Sequence, residues 1–413
     1  MARRRPRSPR CMHPPPSHLT TIPSWLILMG LLTALGPLAI DMYLPAFPDM
    51  VLSLGASQGM VERTLPSYLL GLAAAQVFYG PFADRYGRKK PLLLGLVVFT
   101  VASIGCSLTD NIEQLNMWRV AQAFGGAASM VIPRAVIRDN FDTRDASKAL
   151  SVLMLVMGVT PILAPILGAQ VLAFGSWRHI FAIMALCSTL LFISVIISMR
   201  ETLPAEKAIP LSFANIGRNY RGLLAHKRFM CYTLAGGFGS AGMFAYISGS
   251  PRVFINVFDV HPQYFGLLFG VNAAALIATS QISARLLNRH VPETLLKFAQ
   301  AGLLAASLAG FVMTLAGILT LPWLMAALLC FMAGQGFVNP NAAALALREQ
   351  GHRLGVASAM MGTLQMLCGA AAGLGVSAWQ SDTALPLTGI LTFCAFLSWL
   401  FGRAALKAAP SSK

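Results

Sequence analysis

Long runs without a single charged residue recur along the chain, and they constrain its fold more than any other feature. No Asp, Glu, Lys or Arg occurs in residues 91–109, 149–177, 179–199 or 298–347. A helix needs about 20 apolar residues to cross the hydrocarbon core of a bilayer. The period-two alternation of a membrane β-barrel is weak throughout. The expected class is therefore an all-α integral membrane protein. Charged residues make up 11% of the chain and hydrophobic residues 56%, against about 25% charged in an ordinary soluble domain. Too few charges remain to build a water-facing surface. The mean hydropathy of +0.65 sends the apolar excess to lipid.

Twelve transmembrane helices are predicted, at 25–47, 64–82, 91–108, 115–137, 149–173, 177–199, 229–250, 263–287, 294–318, 322–346, 355–379 and 385–403. Pro322 supplies the turn that splits the run 298–347. The longest polar connection, 200–228, holds Pro204 and Pro210 and separates six spans from six. The predicted layout is a basic, proline-rich tail (1–24), one six-helix half (25–199), a linker with a short surface helix (200–228), a second half (229–403) and a short tail (404–413). Arg3, Arg4 and Arg5 before an apolar run also suit a secretory signal. That run passes 20 residues without a small-residue cleavage pattern, so a retained tail is expected. Met1 and Met12 are alternative starts.

The net charge of +16 taken alone suggests nucleic acid, but its placement does not. With the N-terminus inside, 27 of the 31 Lys and Arg fall in the tails, the inner loops and the inner span ends. Arg63, Arg178 and Arg252 fall on the outer side and Arg119 falls within a span. This is a strong positive-inside bias, and it places both termini in the cytoplasm. Anionic lipid headgroups become the expected partner of the basic ends, and no nucleic acid is expected. The seven cysteines (11, 106, 187, 231, 330, 368, 394) form neither a CxxC pair nor a metal spacing, so no metal site is expected. No HExxH, nucleophile elbow or P-loop occurs. The chain is not expected to be an enzyme or an ATP-driven pump. Its expected energy source is a gradient, with no cofactor.

A charge inside a span is a functional candidate because burying it is costly. Asp41, near the end of the first span, and Arg119, early in the fourth, are expected at similar depth at ~1.5 Å per residue. They face one another or share a cavity. Burial favours a neutral carboxyl and a nearby guanidinium favours the anion. A carboxyl between the two can exchange a proton, as proton coupling requires. The alternative is a fixed ion pair that only ties two helices. A second acid, Asp84, lies in the stretch Gly80-Pro-Phe-Ala-Asp84-Arg85-Tyr-Gly87-Arg88-Lys89 between the second and third spans. There glycine permits a tight turn and the carboxylate can accept hydrogen bonds.

These residues resemble the major facilitator superfamily. Gly80, Asp84, Arg85, Gly87, Arg88 and Lys89 match its G-x-x-x-D-R-x-G-R-K/R loop signature. Arg119-Val-Ala-Gln122 resembles its fourth-span R-x-x-Q-G signature, with Ala123 at the glycine. Ala164-Pro165-Ile-Leu-Gly168-Ala169 resembles the fifth-span G-P-x-x-G-G antiporter signature, with alanine at two glycine positions. Ile40–Pro48, Trp177–Phe181, Glu201–Pro204 and Gly242–Tyr246 are similar to the bicyclomycin/chloramphenicol-resistance (Bcr/CmlA) branch of drug–proton antiporters. The resemblance covers nearly the whole chain after residue 25.

It implies two six-helix halves around a central cavity, rocking to alternate access, in the inner membrane of a bacterium. The implied activity is export of an amphipathic drug-like molecule in exchange for protons, by a monomer. Proton-coupled transport of one small metabolite remains the alternative. Asp41 and Arg119 would couple protons. Tyr43, Tyr68, Met243, Phe244, Tyr246, Gln335, Asn339 and Asn341 would line the substrate cavity, although each also suits plain helix packing. Gly80, Asp84, Arg85, Gly87, Arg88 and Asp139 would form a conformational gate. Pro161, Pro165 and Gly168 carry the antiporter signature. In the second half, Ala284 stands where Asp84 stands in the first, so the gate is expected to rest on the first half. The small-residue stripes at 71–75 and 369–373 are expected to be close helix contacts.

Overall fold

A computed structural model describes residues 23–141, 143–203, 213–351, 354–379 and 381–407. The tail before residue 23 with its two candidate starts, Pro204 and Pro210 of the linker, and the tail end 408–413 lie outside the described residues. Described residues outside loops are helical. In order they form α1 (Ser24–Asp41), α2 (Phe47–Leu54), α3 (Gln58–Glu62), α4 (Thr64–Tyr86), α5 (Lys89–Leu108), α6 (Ile112–Asn140), α7 (Thr143–Phe174), α8 (Trp177–Ser198), α9 (Phe213–Leu224), α10 (Lys227–Pro251), α11 (Pro262–Leu286), α12 (Pro292–Leu315), α13 (Leu321–Leu347), α14 (Leu354–Ala378) and α15 (Leu385–Lys407). A 3₁₀ turn, Leu44–Ala46, joins α1 to α2, and a π-helical segment, Arg252–Val257, continues α10.

Helices suit this sequence because a backbone in lipid must satisfy its hydrogen bonds within the segment. Among the described residues, ten helices are long and apolar enough to cross a membrane. The remaining two of the twelve long ones, α4 and α10, are more polar. Their Tyr68, Gln76 and Tyr79, and their Ser240, Tyr246, Ser248 and Ser250, lie on packed seams rather than against lipid. Local chemistry sets the ends. The Asn111 side chain accepts from the backbone N–H of Glu113 and Gln114 at the start of α6. Ser176 and His179 form a capping box on α8. Gly55 ends α2 in the left-handed region at φ 57°.

The chain packs as two six-helix halves. In the first, α6 lies against α4, α5 and α1, α5 against α8, and α1 against α7. In the second, α10 lies against α13, α14 and α15, and α12 against α13 and α15. The halves meet where α4 packs on α14 and α7 on α11. The expected surface helix is present as α9, packed on α10 and α14.

Twelve crossings bring Ser24 and Lys407 to the same end of the bundle, here called the terminal face. At the opposite face the halves are in contact. A Cβ on Gly373 of α14 would lie 2.8 Å from Pro66 of α4, and one on Gly266 of α11 would lie 2.9 Å from the backbone of Ile166 in α7. The turn Leu44–Ala46 also reaches α10 and α11. Toward the terminal face, Gly80 of α4 and Gly355 of α14 have open space where a side chain would begin. The halves therefore touch at the far face, while Gly80 and Gly355 near the terminal face have no neighbour beside them. Of the two small-residue stripes, Gly373 lies on the seam between halves, whereas Gly71 packs on Val120 and Ala123 of α6 in its own half.

Candidate functional site: a buried carboxyl at the seam of the halves

Pro45 carries no backbone N–H to bond the Asp41 carbonyl, which weakens any continuation of α1 past Asp41. Its last helical residue is Asp41, and the chain turns through residues 42–46 before α2 begins. Asp41 is 2% exposed, and its Oδ1 has no hydrogen-bond partner among the described residues. It lies within electrostatic reach of two tyrosines, Tyr68 on α4 and Tyr246 on α10. One comes from each half, so Asp41 sits on the seam.

Arg119 lies on α6 at the same depth and is fully buried. Its Nη2 donates to the Ala39 carbonyl at 2.9 Å and its Nη1 to Gln122 Oε1 at 2.6 Å. No ion pair joins it to Asp41 among the described residues, which sets aside the fixed-pair reading. The cation instead caps the broken end of α1, where carbonyls lack helical donors and the helix dipole is negative. Its guanidinium lies 4.3 Å from the Tyr43 ring centre and 4.4 Å from that of Tyr68, with Phe181 at 5.7 Å. Such contacts contribute about 2 kcal/mol or more when desolvated. Gln122 passes the network on, donating to Ser103 Oγ at 2.8 Å.

The structure sorts the other expected cavity residues. Tyr43 shares a hydrogen bond with Thr64 Oγ1 at 3.0 Å, so it is held beside Arg119. The buried Tyr68 hydroxyl has no partner. Tyr246 accepts from Asn272 Nδ2 at 3.0 Å and stacks on Phe269. Phe244 packs on Gly369, and Met243 is half-buried. Asn341 donates to Ser283 Oγ at 2.8 Å and to the Phe337 carbonyl, binding α13 to α11, while Asn339 is half-buried. Gln335 belongs to a separate amide cluster. Its Nε2 and that of Gln365 both donate to Ser240 Oγ, at 3.0 and 2.7 Å, and Gln335 Oε1 is unpartnered. Sequence reasoning missed Gln365, because a lone glutamine carries no local signal.

The antiporter signature lies against this site. Pro161 and Pro165 fall inside a continuous α7. A Cβ on Gly168 would collide with the Met42 carbonyl, one residue past Asp41. Glycine is what lets α7 approach that turn. Gly168→Val is expected to cut transport at least about tenfold by displacing the Asp41 turn. Transport assays at matched expression check this.

The gate residues gather at the terminal end of α4. Arg88 donates from Nη1 to Asp84 at 2.6 Å and from Nε to Asp139, at the end of α6, at 2.8 Å. Burial alone would lower the Arg88 pKa, but these two carboxylates hold it above its usual value. Glu201, just beyond α8, accepts from the backbone N–H of Arg88 at 2.7 Å and of Lys89 at 3.1 Å, capping α5. Burial works against the Glu201 anion, yet these backbone bonds keep its pKa below the ordinary 4.5. Its stabilising contribution is therefore full above that value and is lost as the pH falls beneath it. Gly87 has φ 86°, and a Cβ there would strike the Glu201 carboxylate. Gly87→Ala is expected to cost about 1–3 kcal/mol, visible as a lower melting temperature. Arg85 is exposed and Gly80 has open space beside it. The cluster thus ties four helices of one half together, and Asp84 remains 45% exposed on the side away from that tie.

The second half has ion pairs of its own at the corresponding helix ends. Arg348, after α13, reaches Glu293 of α12 at 3.2 Å, and Arg228 of α10 reaches Glu349 at 2.6 Å. Compared with the Arg88–Asp139 pair the charges are exchanged, so a search for a second Asp84 could not find them.

The family model for the Major Facilitator Superfamily matches residues 29–373. The chain belongs to the major facilitator superfamily. Members of this family are membrane transporters rather than enzymes. The chain is 37% identical to the MFS-type transporter YdgK of Bacillus subtilis, over 90% of this chain and 93% of that one. It is 32% identical to the bicyclomycin resistance protein homolog of Haemophilus influenzae, over 91% and 94%. Among solved structures, a bacterial homolog of the lysosomal transporter Spinster, inward-facing and unoccupied, superposes with a TM-score of 0.71 at 16% identity. That match covers 94% of this chain and 98% of the other. The superfamily fold explains the two halves and their seam.

Proposed function

We propose that this transporter exports amphipathic drug-like molecules in exchange for protons. The observation that carries the reading is Asp41: a buried carboxyl with an unpartnered oxygen, set where the halves meet and touched electrostatically by a tyrosine from each. A carboxyl there is exposed to one side or the other as the halves rock, so it loads a proton outside and releases it inside. Arg119 positions the turn that carries it. The names of two relatives support drug export, the bicyclomycin resistance homolog and the multidrug resistance protein MdtL of Escherichia coli O157:H7, the latter 28% identical. The positive-inside bias supports a cytoplasmic terminal face in a bacterial inner membrane, with anionic lipid at its basic rim. The monomer holds the whole site, and the segments 25–199 and 229–403 move as the two bodies. The contact of the halves at the far face, with open space beside Gly80 and Gly355 toward the terminal face, supports an inward-facing state.

A second reading, proton-coupled transport of one small metabolite, draws on the Gln335–Ser240–Gln365 cluster, which offers an unpartnered amide oxygen to a polar substrate. Expression in an efflux-deficient bacterium, screened against a toxic-compound panel with and without an uncoupler, decides. Resistance to several compounds that the uncoupler removes supports drug export. Saturable movement of a single polar compound without resistance supports the second reading.

A further inference from the structure

A second buried acid lies outside the Asp41 site. Glu62 ends α3, in the link between the first two long helices, and is fully buried at the opposite face. Helix α3 packs on α14 of the other half. Among the described residues neither carboxyl oxygen of Glu62 has a hydrogen-bond partner, and nor do two buried donors close by, Gln58 Nε2 on the same helix and Arg252 Nη1 on the π-helical segment after α10. Gln58 and Arg252 act on Glu62. Charges on the other neighbours are absent or turned away. Helix α14 and the first turn of α4 contain none, and Asp49 on α2 and Arg63 next in the chain are exposed. One guanidinium from the second half therefore faces one carboxyl from the first, across the joint that closes the opposite face.

We propose that Glu62 is a second proton-binding carboxyl, one that must be neutral for the outer gate to close over it. When the halves part outward, water reaches the carboxylate. A proton from the outer solution neutralises it, α14 covers it, and the proton returns to the same solution when the gate reopens. Glu62 thus carries no proton across the membrane, unlike Asp41. It makes outer acidity favour the inward-facing state, in which substrate loads. The physical cause is desolvation, which outweighs the opposing pull of Arg252 and raises the closed-gate pKa from 4.5 to about 7. A group bound more tightly by protons in the closed state favours closure below the open-state value, and that advantage is lost as the pH rises through the closed-state value. This inference uses the orientation and rocking of the proposed function but not its substrate.

The test is a distance measurement between spin labels at Leu52→Cys and Tyr264→Cys. Both sites are exposed at the opposite face, one in each half. The labels are placed in the full chain in nanodiscs, with native cysteines replaced and Asp41→Asn present so that Asp41 does not titrate. The closed-to-open ratio is expected to fall at least about tenfold from pH 5 to pH 8, with each unit of pKa difference worth tenfold. Glu62→Gln should stay closed across that range. Arg252→Gln, which removes the opposing charge, should move the transition to higher pH. An unchanged pH profile in Glu62→Gln overturns the proposal, as does an unmoved transition in Arg252→Gln. Failure of the drug screen leaves this readout intact, so the two readings fail separately.

Discussion

Asp41→Asn is expected to abolish gradient-driven efflux, a loss of at least about a hundredfold, while the protein remains folded. Asparagine keeps the shape of the side chain and removes the ionisable proton. The melting temperature should hold or rise, because the unpartnered carboxyl oxygen is replaced by a neutral amide in the same buried place. Loss of transport with retained stability separates a functional carboxyl from a structural one. The check is uptake of a fluorescent substrate into inverted membrane vesicles with an imposed proton gradient, beside thermal unfolding of the purified variant. Wild-type transport by Asp41→Asn would remove the carboxyl from the cycle.

Arg119→Lys is the second large effect. Lysine keeps the charge, but one ammonium cannot reach both Gln122 and the Ala39 carbonyl or spread a planar cation against the Tyr43 and Tyr68 rings. At least one buried acceptor is left unpaired, which costs about 1–3 kcal/mol, and the broken end of α1 loses its cap. Transport should fall at least about tenfold and the melting temperature should drop. The same two assays report both. An unchanged melting temperature and unchanged transport would show that the α1 cap does not depend on the guanidinium.

Most of the fold was legible because a bilayer imposes its own arithmetic. Charge-free runs of helix-spanning length appear in the sequence as gaps between charges, and α5 and α8 begin and end within a few residues of them. The depth of Asp41 and Arg119 was legible for the same reason, since rise per residue fixes depth. Their relation was not. The partner of Arg119 is a backbone carbonyl freed by the turn at Pro45, and a carbonyl has no identity in a sequence. Tyr43 and Tyr68 read as cavity aromatics, and the sequence did not show that both lie beside the guanidinium. Glu62 was passed over because it falls in a link between spans, where acids are ordinarily solvated. Its burial depends on α14, which arrives some three hundred residues later. The loop signature at 80–89 pointed to the cluster in which Arg88 pairs with Asp84 and Asp139. The capping carboxylate of Glu201 was visible only as part of a stretch similar to a family, with no local pattern that says which helix it caps.

The central claim is that outward substrate movement and inward proton movement are one event at Asp41. Its most direct measurement uses purified protein in sealed liposomes with a pH-sensitive dye inside and a transported compound, found in the screen, loaded with it. Dilution lets the compound leave down its own gradient with no proton gradient imposed. Acidification of the lumen in step with compound exit is predicted for the wild type, and its absence for Asp41→Asn. Compound exit through the wild type with no lumenal pH change would contradict the account.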